Sequence, residues 1–375
     1  MYFSLPQNIN LKNIQQQTQH KKVIEKIIYK RFYYYLNDNK ILVNEQMGFR
    51  DKLSTDTATY ALLNTVLSSL DSKNYVGGLF CDLEKASDCV NHDILLAKMT
   101  FYGITGIAHN LIRSYLTNRY QRTKINQSSS TWERINHGVP QGSVLGPLLF
   151  LIYINDFLSA INKLASTVLF ADDTSIILSN MNPDEFMNST IQVMNEIIEW
   201  FQSNLLSLNF NKTTFIQFIT KKNGEIAFQI TNSNSIITNI NNTKFLGIMI
   251  DSTLSWNEQI TSLASKLNKA CYAIRMVKSC MSHEVLRMMY FSYVHSIMAY
   301  GIIFWGNSHS SGTIFKIQKR IIRLINNSDR RESCRKLFQE LQILPLASQY
   351  ILSILIFVNK NRRLFLSNSD IKYSL

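Results

Sequence analysis

Two adjacent aspartates, Asp172 and Asp173, interrupt an apolar stretch, VLFADDTSIIL (168–178). A third, Asp82, follows another such stretch in YVGGLFCDL (75–83). Like charges held close repel, and protonation or a bound cation relieves them. Carboxylate oxygens, with waters and substrate phosphates completing an octahedron, are the ligands magnesium takes. Two such ions a short distance apart clamp the attacking and leaving oxygens of a phosphoryl transfer. A pair of aspartates at a turn also has a purely local reading, because Asp side chains hydrogen-bond the turn backbone. The chemistry depends on whether the surrounding elements bring Asp82 to the same place.

The elements are legible around these positions. YVGGLFCDL is β-branched and aromatic, bounded by turns and charges, and reads as a buried strand ending at Asp82. VLFA and TSIIL read as the two arms of a hairpin with the aspartates at its tip. Helical spacing marks VIEKIIYKRFYYYL (23–36), TDTATYALLNTVLSSL (55–70), HDILLAKMTFYG and IAHNLIRSYL. QRTKINQ and TWERINHG read as a hairpin, and SVLGPLLFLIYINDFLSAI as one long apolar helix. PDEFMNSTIQVMNEIIEWFQSNLL (183–206) is an amphipathic helix with a Pro/Asp start. TTFIQFI and KFLGIMID read as strands, with an Asn- and Ile-rich weak hairpin between them. Beyond Asp251 the strands stop and helical patterns run to the end. The expected organisation is a loose polar arm (1–20), a helical entry (21–74), a mixed α+β centre (75–251) and a helical tail (252–375).

Composition narrows the partners. A net charge of +13 over 375 residues favours a polyanion, nucleic acid before membrane. KKVIEKIIYKRF and IQKRIIRLINNSDRRESCRK interleave Lys and Arg with apolar residues, so one face can pack while the other meets phosphates. The five cysteines show no C-x-x-C spacing, which argues against a zinc knuckle or a disulfide framework and suits a reducing compartment. The longest apolar runs are too short to span a bilayer, and residues 1–20 lack an apolar signal core.

Three stretches in order, GLFCDLEKASDCVNHDILL (78–96), GVPQGSVLGPLLFLIYINDF (138–157) and LFADDTSIIL (169–178), resemble motifs A, B and C of reverse transcriptases of non-LTR retrotransposons, in particular the jockey-like group. NEQMGFRDKLSTDTA (44–58) resembles the block before motif A, LSLNFNKTTFIQF (206–218) motif D, and KFLGIMID (244–251) the primer-grip motif E. YGIIFWGNS, IQKRIIRLI and SCRKLFQELQILPL resemble the same group's thumb-side extension, so the likeness spans roughly residues 21–365. The resemblance implies a right-hand polymerase of the α+β class: partial fingers (21–74), an antiparallel-sheet palm with inserted fingers segments (75–251) and a helical thumb with its extension (252–375). It implies that Asp82, Asp172 and Asp173 hold two Mg2+ ions, with Mn2+ as a substitute. The primer 3′-hydroxyl would then attack the α-phosphate of a deoxynucleoside triphosphate on an RNA template. It further implies Gln141 and Gly142 at the nascent base pair and Lys212 at the leaving pyrophosphate. Arg50 would lie near the triphosphate or template, and Leu246 and Gly247 at the primer. Target-primed insertion by that group implies a nuclear location.

Three departures bear on activity. The group's motif A carries an aromatic ring where this chain has Ser87, in Asp82-Leu-Glu-Lys-Ala-Ser87-Asp88. That ring is the gate that clashes with a ribose 2′-hydroxyl, so serine is expected to weaken exclusion of ribonucleotides. Residues 1–20 do not resemble the group's R-P-I-S fingers segment, and no apurinic-type endonuclease is read. A truncated copy is expected, with a catalytically inactive, nucleic-acid-binding relic as the competing reading.

Overall fold

The computed structural model describes residues 18–161, 165–220, 224, 226, 229–232 and 235–366. Of the expected arm, residues 1–17 lie outside this range, and Thr18–His20 already belong to the first helix. Two compact units divide between Ile240 and Asn241.

The first unit opens with α1 (Thr18–Asp38) and α2 (Thr55–Asp71), the latter capped reciprocally by Ser54 and Thr57. Strand β1 (Tyr75–Cys81), α3 (His92–Phe101) and α4 (Gly106–Leu116) follow. Next comes a ribbon of short strands, β2 (Arg119–Gln121), β3 (Lys124–Ile125), β4 (Ser128–Ser129) and β5 (Glu133–Ile135), pairing β2 with β5 and β3 with β4. Then come α5 (Gly146–Ile154), α6 (Phe157–Ala160), the hairpin β6 (Ala165–Phe170) and β7 (Asp173–Asn180), and α7 (Pro183–Ser203). Strand β8 (Thr214–Phe218) and a hairpin of β9 (Gln229–Asn232) with β10 (Ser235–Thr238) close the unit.

Its central sheet has the order β6-β7-β1-β8, antiparallel throughout. Strand β1 is buried from Val76 to Cys81, as its unbroken apolar run requires of an inner strand. Helix α7 turns Phe186, Val193, Met194, Ile197 and Phe201 into the core, and its start is fixed by Asn182, whose side chain accepts from the amides of Asp184 and Glu185.

The long helix expected from SVLGPLLFLIYINDFLSAI is broken into α5 and α6 at Asn155–Asp156. Side chains from distant segments hold the break. Asn155 Oδ1 accepts from the Val43 amide at 3.0 Å and its Nδ2 donates to Ile41 O at 2.8 Å. Lys98 donates to Tyr153 O and to Asp156 Oδ1, both at 2.6 Å, and lies 4.8 Å from the Trp200 ring centre. The Lys98 bond occupies the Tyr153 carbonyl, which a continuous helix would use in its own ladder, and the Asn155 side chain ties the break to the loop at Ile41–Val43.

The second unit begins with a hairpin, β11 (Asn242–Phe245) and β12 (Ile248–Asp251). Helix α8 (Asn257–Val277) follows, then α9 (His283–Met289), a π-helical turn over Tyr290–His295, α10 (Ser296–Ala299), α11 (Ile302–Trp305), α12 (Gly312–Ile325), α13 (Cys334–Glu340) and α14 (Leu346–Lys360). The division falls before this hairpin rather than after Asp251, where the sequence places it. The reason is local. Gln259 of α8 accepts the Met249 amide at 3.0 Å, and the Asp251 carboxylate accepts the amides of Ser255 and Trp256 that lead into α8. Among the described residues no helix is long and apolar enough to cross a membrane.

Candidate active site

The strand register gathers the acidic residues at one end of the sheet. Cys81 faces Thr174, so Asp82 emerges beside Asp173, and Phe170 faces Asp173 across the turn that carries Asp172. Asp172 and Asp173 are exposed and Asp82 is partly so. Asp173 has its carboxyl pushed up from an ordinary 3.8 to about 6, first by the loss of water around its strand end, then by the charges of Asp172 and Asp82. Beyond β1 the chain pairs with the segment before β8: the Asn209 amide donates to Asp82 O at 2.8 Å and the Glu84 amide to Ser207 O at 2.9 Å. That pairing delivers Lys212, whose Nζ lies 3.3 Å from Asp82 Oδ2. Both partners are well exposed, so this ion pair adds little to stability.

Among the described residues no group of three or more His, Cys, Asp or Glu side chains is drawn together tightly enough to hold a metal ion unaided. The donor chemistry still fits a hard cation. All three groups offer carboxylate oxygens, and Asp173 is held towards its neutral form first by the loss of water around it and then by its acidic neighbours. The sign of the resulting pH dependence follows. A folded-state pKa above the unfolded value contributes stability below about pH 3.8 that is lost as pH rises through about 6. A cation needs the ionised form, so its binding should release a proton. Calorimetric titration with MgCl2 in two buffers of different ionisation heat should show affinity weakening about tenfold per pH unit below about 6.

Gln46 holds the turn itself, and no periodicity points to it. The turn has two residues, Ala171 and Asp172, and Ala171 sits at φ 58°, a conformation that costs an L-residue with a Cβ. Buried Gln46 grips both polar groups of that residue: its Oε1 accepts the Ala171 amide at 2.9 Å, and its Nε2 donates to Ala171 O at 3.3 Å. The same Oε1 accepts the Gly48 amide at 2.8 Å, and Met47 N–H donates to Leu169 O at 2.7 Å. A Cβ on Gly48 would lie 2.2 Å from Ala171 N, so only glycine lets the two backbones approach. Gln46→Leu should cost about 1–3 kcal/mol in urea unfolding by orphaning the Ala171 amide; a change within error would show the turn stands without it.

A second cluster joins motif A to the VPQG loop. Val139 N–H donates to Ser87 O at 2.9 Å, and Gly138 N–H to Val90 O at 2.7 Å. Gln141 Nε2 donates to both oxygens of Asp88, at 3.0 and 3.3 Å, which leaves its Oε1 as the free end. Gly142 takes φ 73° in open space, so its glycine serves the backbone and not a close contact. From α1, buried Glu25 accepts the Val144 amide at 2.7 Å and fixes the far side of this loop. Lys85, Asp88, Arg119, His137 and Gln141 line a cavity of about 490 Å³ alongside. Ser87 is half-buried at its edge in sequence.

The other expected residues are placed differently. Arg50 donates to Val43 O at 2.6 Å and to Asn37 Oδ1 at 3.3 Å, tying the loop after α1 to that helix. Leu246 and Gly247 form the two-residue turn between β11 and β12, with φ 44° and 86°. Tyr300 donates its hydroxyl to Leu246 O and lies against Gly247.

The chain matches the family described as reverse transcriptase (RNA-dependent DNA polymerase) over residues 8–250, more than half its length. It is 27% identical over 82% of its length to a probable RNA-directed DNA polymerase from transposon BS of Drosophila melanogaster, covering 35% of that protein. It is 28% identical over 64% of its length to the RNA-directed DNA polymerase from mobile element jockey of Drosophila funebris, covering 27% of it. The chain thus spans about a third of the length of the relatives it matches. Among solved structures, telomerase from Candida albicans in complex with a fragment of telomeric RNA aligns with a TM-score of 0.51 at 12% identity, over 89% of this chain and 60% of that one. That likeness shows the right-hand polymerase fold, and the motif resemblance to the jockey-like group agrees with the relatives. The chain belongs to the reverse transcriptase family.

Proposed function

We propose that the chain extends a DNA primer on an RNA template, as the polymerase portion of a non-LTR retrotransposon protein. The observation that carries this reading is the meeting of Asp82 with Asp172 and Asp173 at one sheet end, with the motif A segment that follows Asp82 anchoring Gln141 through Asp88. Divalent ions bound there, two Mg2+ by the family's chemistry, would neutralise the α-phosphate and acidify the primer hydroxyl.

The chain's own groups do the rest. Asp82 and Asp172 would hold the cations that face the reacting phosphate, and Asp173 would give up its proton as the site fills. Lys212, poised against Asp82, is free at its exposed end to meet the leaving pyrophosphate. Gln141, held by Asp88, offers one fixed acceptor to the incoming nucleotide. The Leu246–Gly247 turn, braced by Tyr300, would carry the primer strand. Work on chromosomal DNA would place such a protein in the nucleus.

The test is extension of oligo(dT) on poly(rA) with dTTP and MgCl2. Product that requires template, primer and magnesium supports the reading. Tight template–primer binding with no product favours the inactive relic, for which Ser87 is the specific observation.

A further inference from the structure

The ribbon between motifs A and B has two unlike faces. Arg119 faces Ile135, Tyr120 faces Arg134 and Gln121 faces Glu133 across β2 and β5. Side chains alternate along a strand. Arg119, Gln121 and Ile135 line the cavity that holds Asp88 and Gln141. The opposite face carries Tyr120 and Arg134 and continues into Arg122 and Trp132. The Arg122 guanidinium lies over the Trp132 ring, 4.6 Å from its centre. Trp132 is 60% exposed and Tyr120 57%.

We propose that this outer face is a stacking platform for the unpaired stretch of the template strand next to the site. The inference rests on the polymerase reading and names the surface that holds the single strand. Two large aromatic rings kept in water serve no core, and an exposed apolar patch marks an interaction. Its setting selects the partner. Residues 119–135 hold four cations, Arg119, Arg122, Lys124 and Arg134, against one acid, Glu133. Aromatic rings and guanidinium planes interleaved with positive charge suit unpaired bases, which stack without regard to sequence while their phosphates meet the cations. A double helix hides its base faces, so a paired stretch gains only the charge. The inner face of the same ribbon borders Gln141, so a strand on the outer face lies one ribbon away from the templating position.

The experiment reads binding alone, without nucleotide or magnesium. Of the four tryptophans, Trp200 and Trp305 are buried, Trp256 is half-buried and Trp132 is the most exposed, so a quench that disappears with Trp132 reports that ring. Oligo(rA) should quench the fluorescence of the wild type, and Trp132→Leu should abolish that quench. Affinity for a template–primer with a long unpaired template arm should fall about tenfold in Trp132→Leu and recover in Trp132→Phe. Affinity for the flush-ended duplex should not change. No quench, or equal losses with and without the arm, overturns the proposal. Its fate is separable from that of the polymerase reading: quench without extension removes only the latter, and extension without quench removes only the platform.

Discussion

Asp82→Asn and Asp172→Asn are each expected to cut primer extension about a thousandfold, while template–primer binding stays at the wild-type level. Asparagine keeps the size and one acceptor oxygen, but it removes the charge and puts an NH2 donor where the second oxygen was. At Asp172 the turn is not at risk, because Gln46 holds the neighbouring Ala171 by both of its polar groups. At Asp82 the backbone bonds to Asn209 and Thr213 are independent of the carboxylate. Asparagine at 82 gives up the exposed ion pair with Lys212, worth at most about 1 kcal/mol. Thermal unfolding should therefore move little, and the fall in extension belongs to chemistry. On the proposed reading, binding would rest on Lys and Arg against phosphates and would not call on these carboxylates. Extension within about tenfold of wild type in either variant would refute the assignment, since a site that works through cations held by these charges would not keep its transition-state stabilisation without one of them.

Asp173→Asn tells the same story from the other side. This is the aspartate whose carboxyl is already pushed towards neutrality, first by the loss of water around its strand end and then by Asp172 and Asp82. An amide there should be milder than at Asp82 or Asp172, and should remove the proton release that accompanies magnesium binding.

The acidic residues are legible in the sequence because each is tied to a local pattern. Asp82 closes a strand-like run, and Asp172 and Asp173 sit between two others; register then brings them together as the strands pair. The residues that hold these patterns in place are not legible. Gln46 lies 125 positions from Ala171, and Glu25 lies 119 from Val144. No local period or cap signal distinguishes such a side chain from a solvated one. The broken apolar helix is a case of the same kind. Its sequence alone favours continuity, and Lys98 and the loop at Ile41–Val43 decide otherwise. Arg50 adds a structural task to the one its motif position suggests: its guanidinium donates to the Val43 carbonyl and Asn37, which fixes where its remaining donors sit.

Ser87→Phe should raise discrimination for dATP over ATP about a hundredfold. Position 87 sits where motif A meets the VPQG loop: its carbonyl takes the Val139 amide, and the next residue, Asp88, anchors Gln141. A nucleotide that reaches Asp82 and Gln141 together must pass its sugar near this side chain. Serine leaves room for a 2′-hydroxyl and can accept a hydrogen bond from it. A phenyl ring fills that room and offers no partner, so a ribose then loses both space and hydrogen bonding. Deoxyribose has nothing to lose there, and dATP turnover should hold or improve as the sugar is better confined. The half-buried setting of Ser87 leaves a ring an outward path, so the variant should fold. Steady-state incorporation of each nucleotide opposite uracil in the template decides the matter. An unchanged ratio with normal dATP turnover would mean that something other than residue 87 walls the sugar, and that serine here carries no consequence for the choice between deoxyribose and ribose.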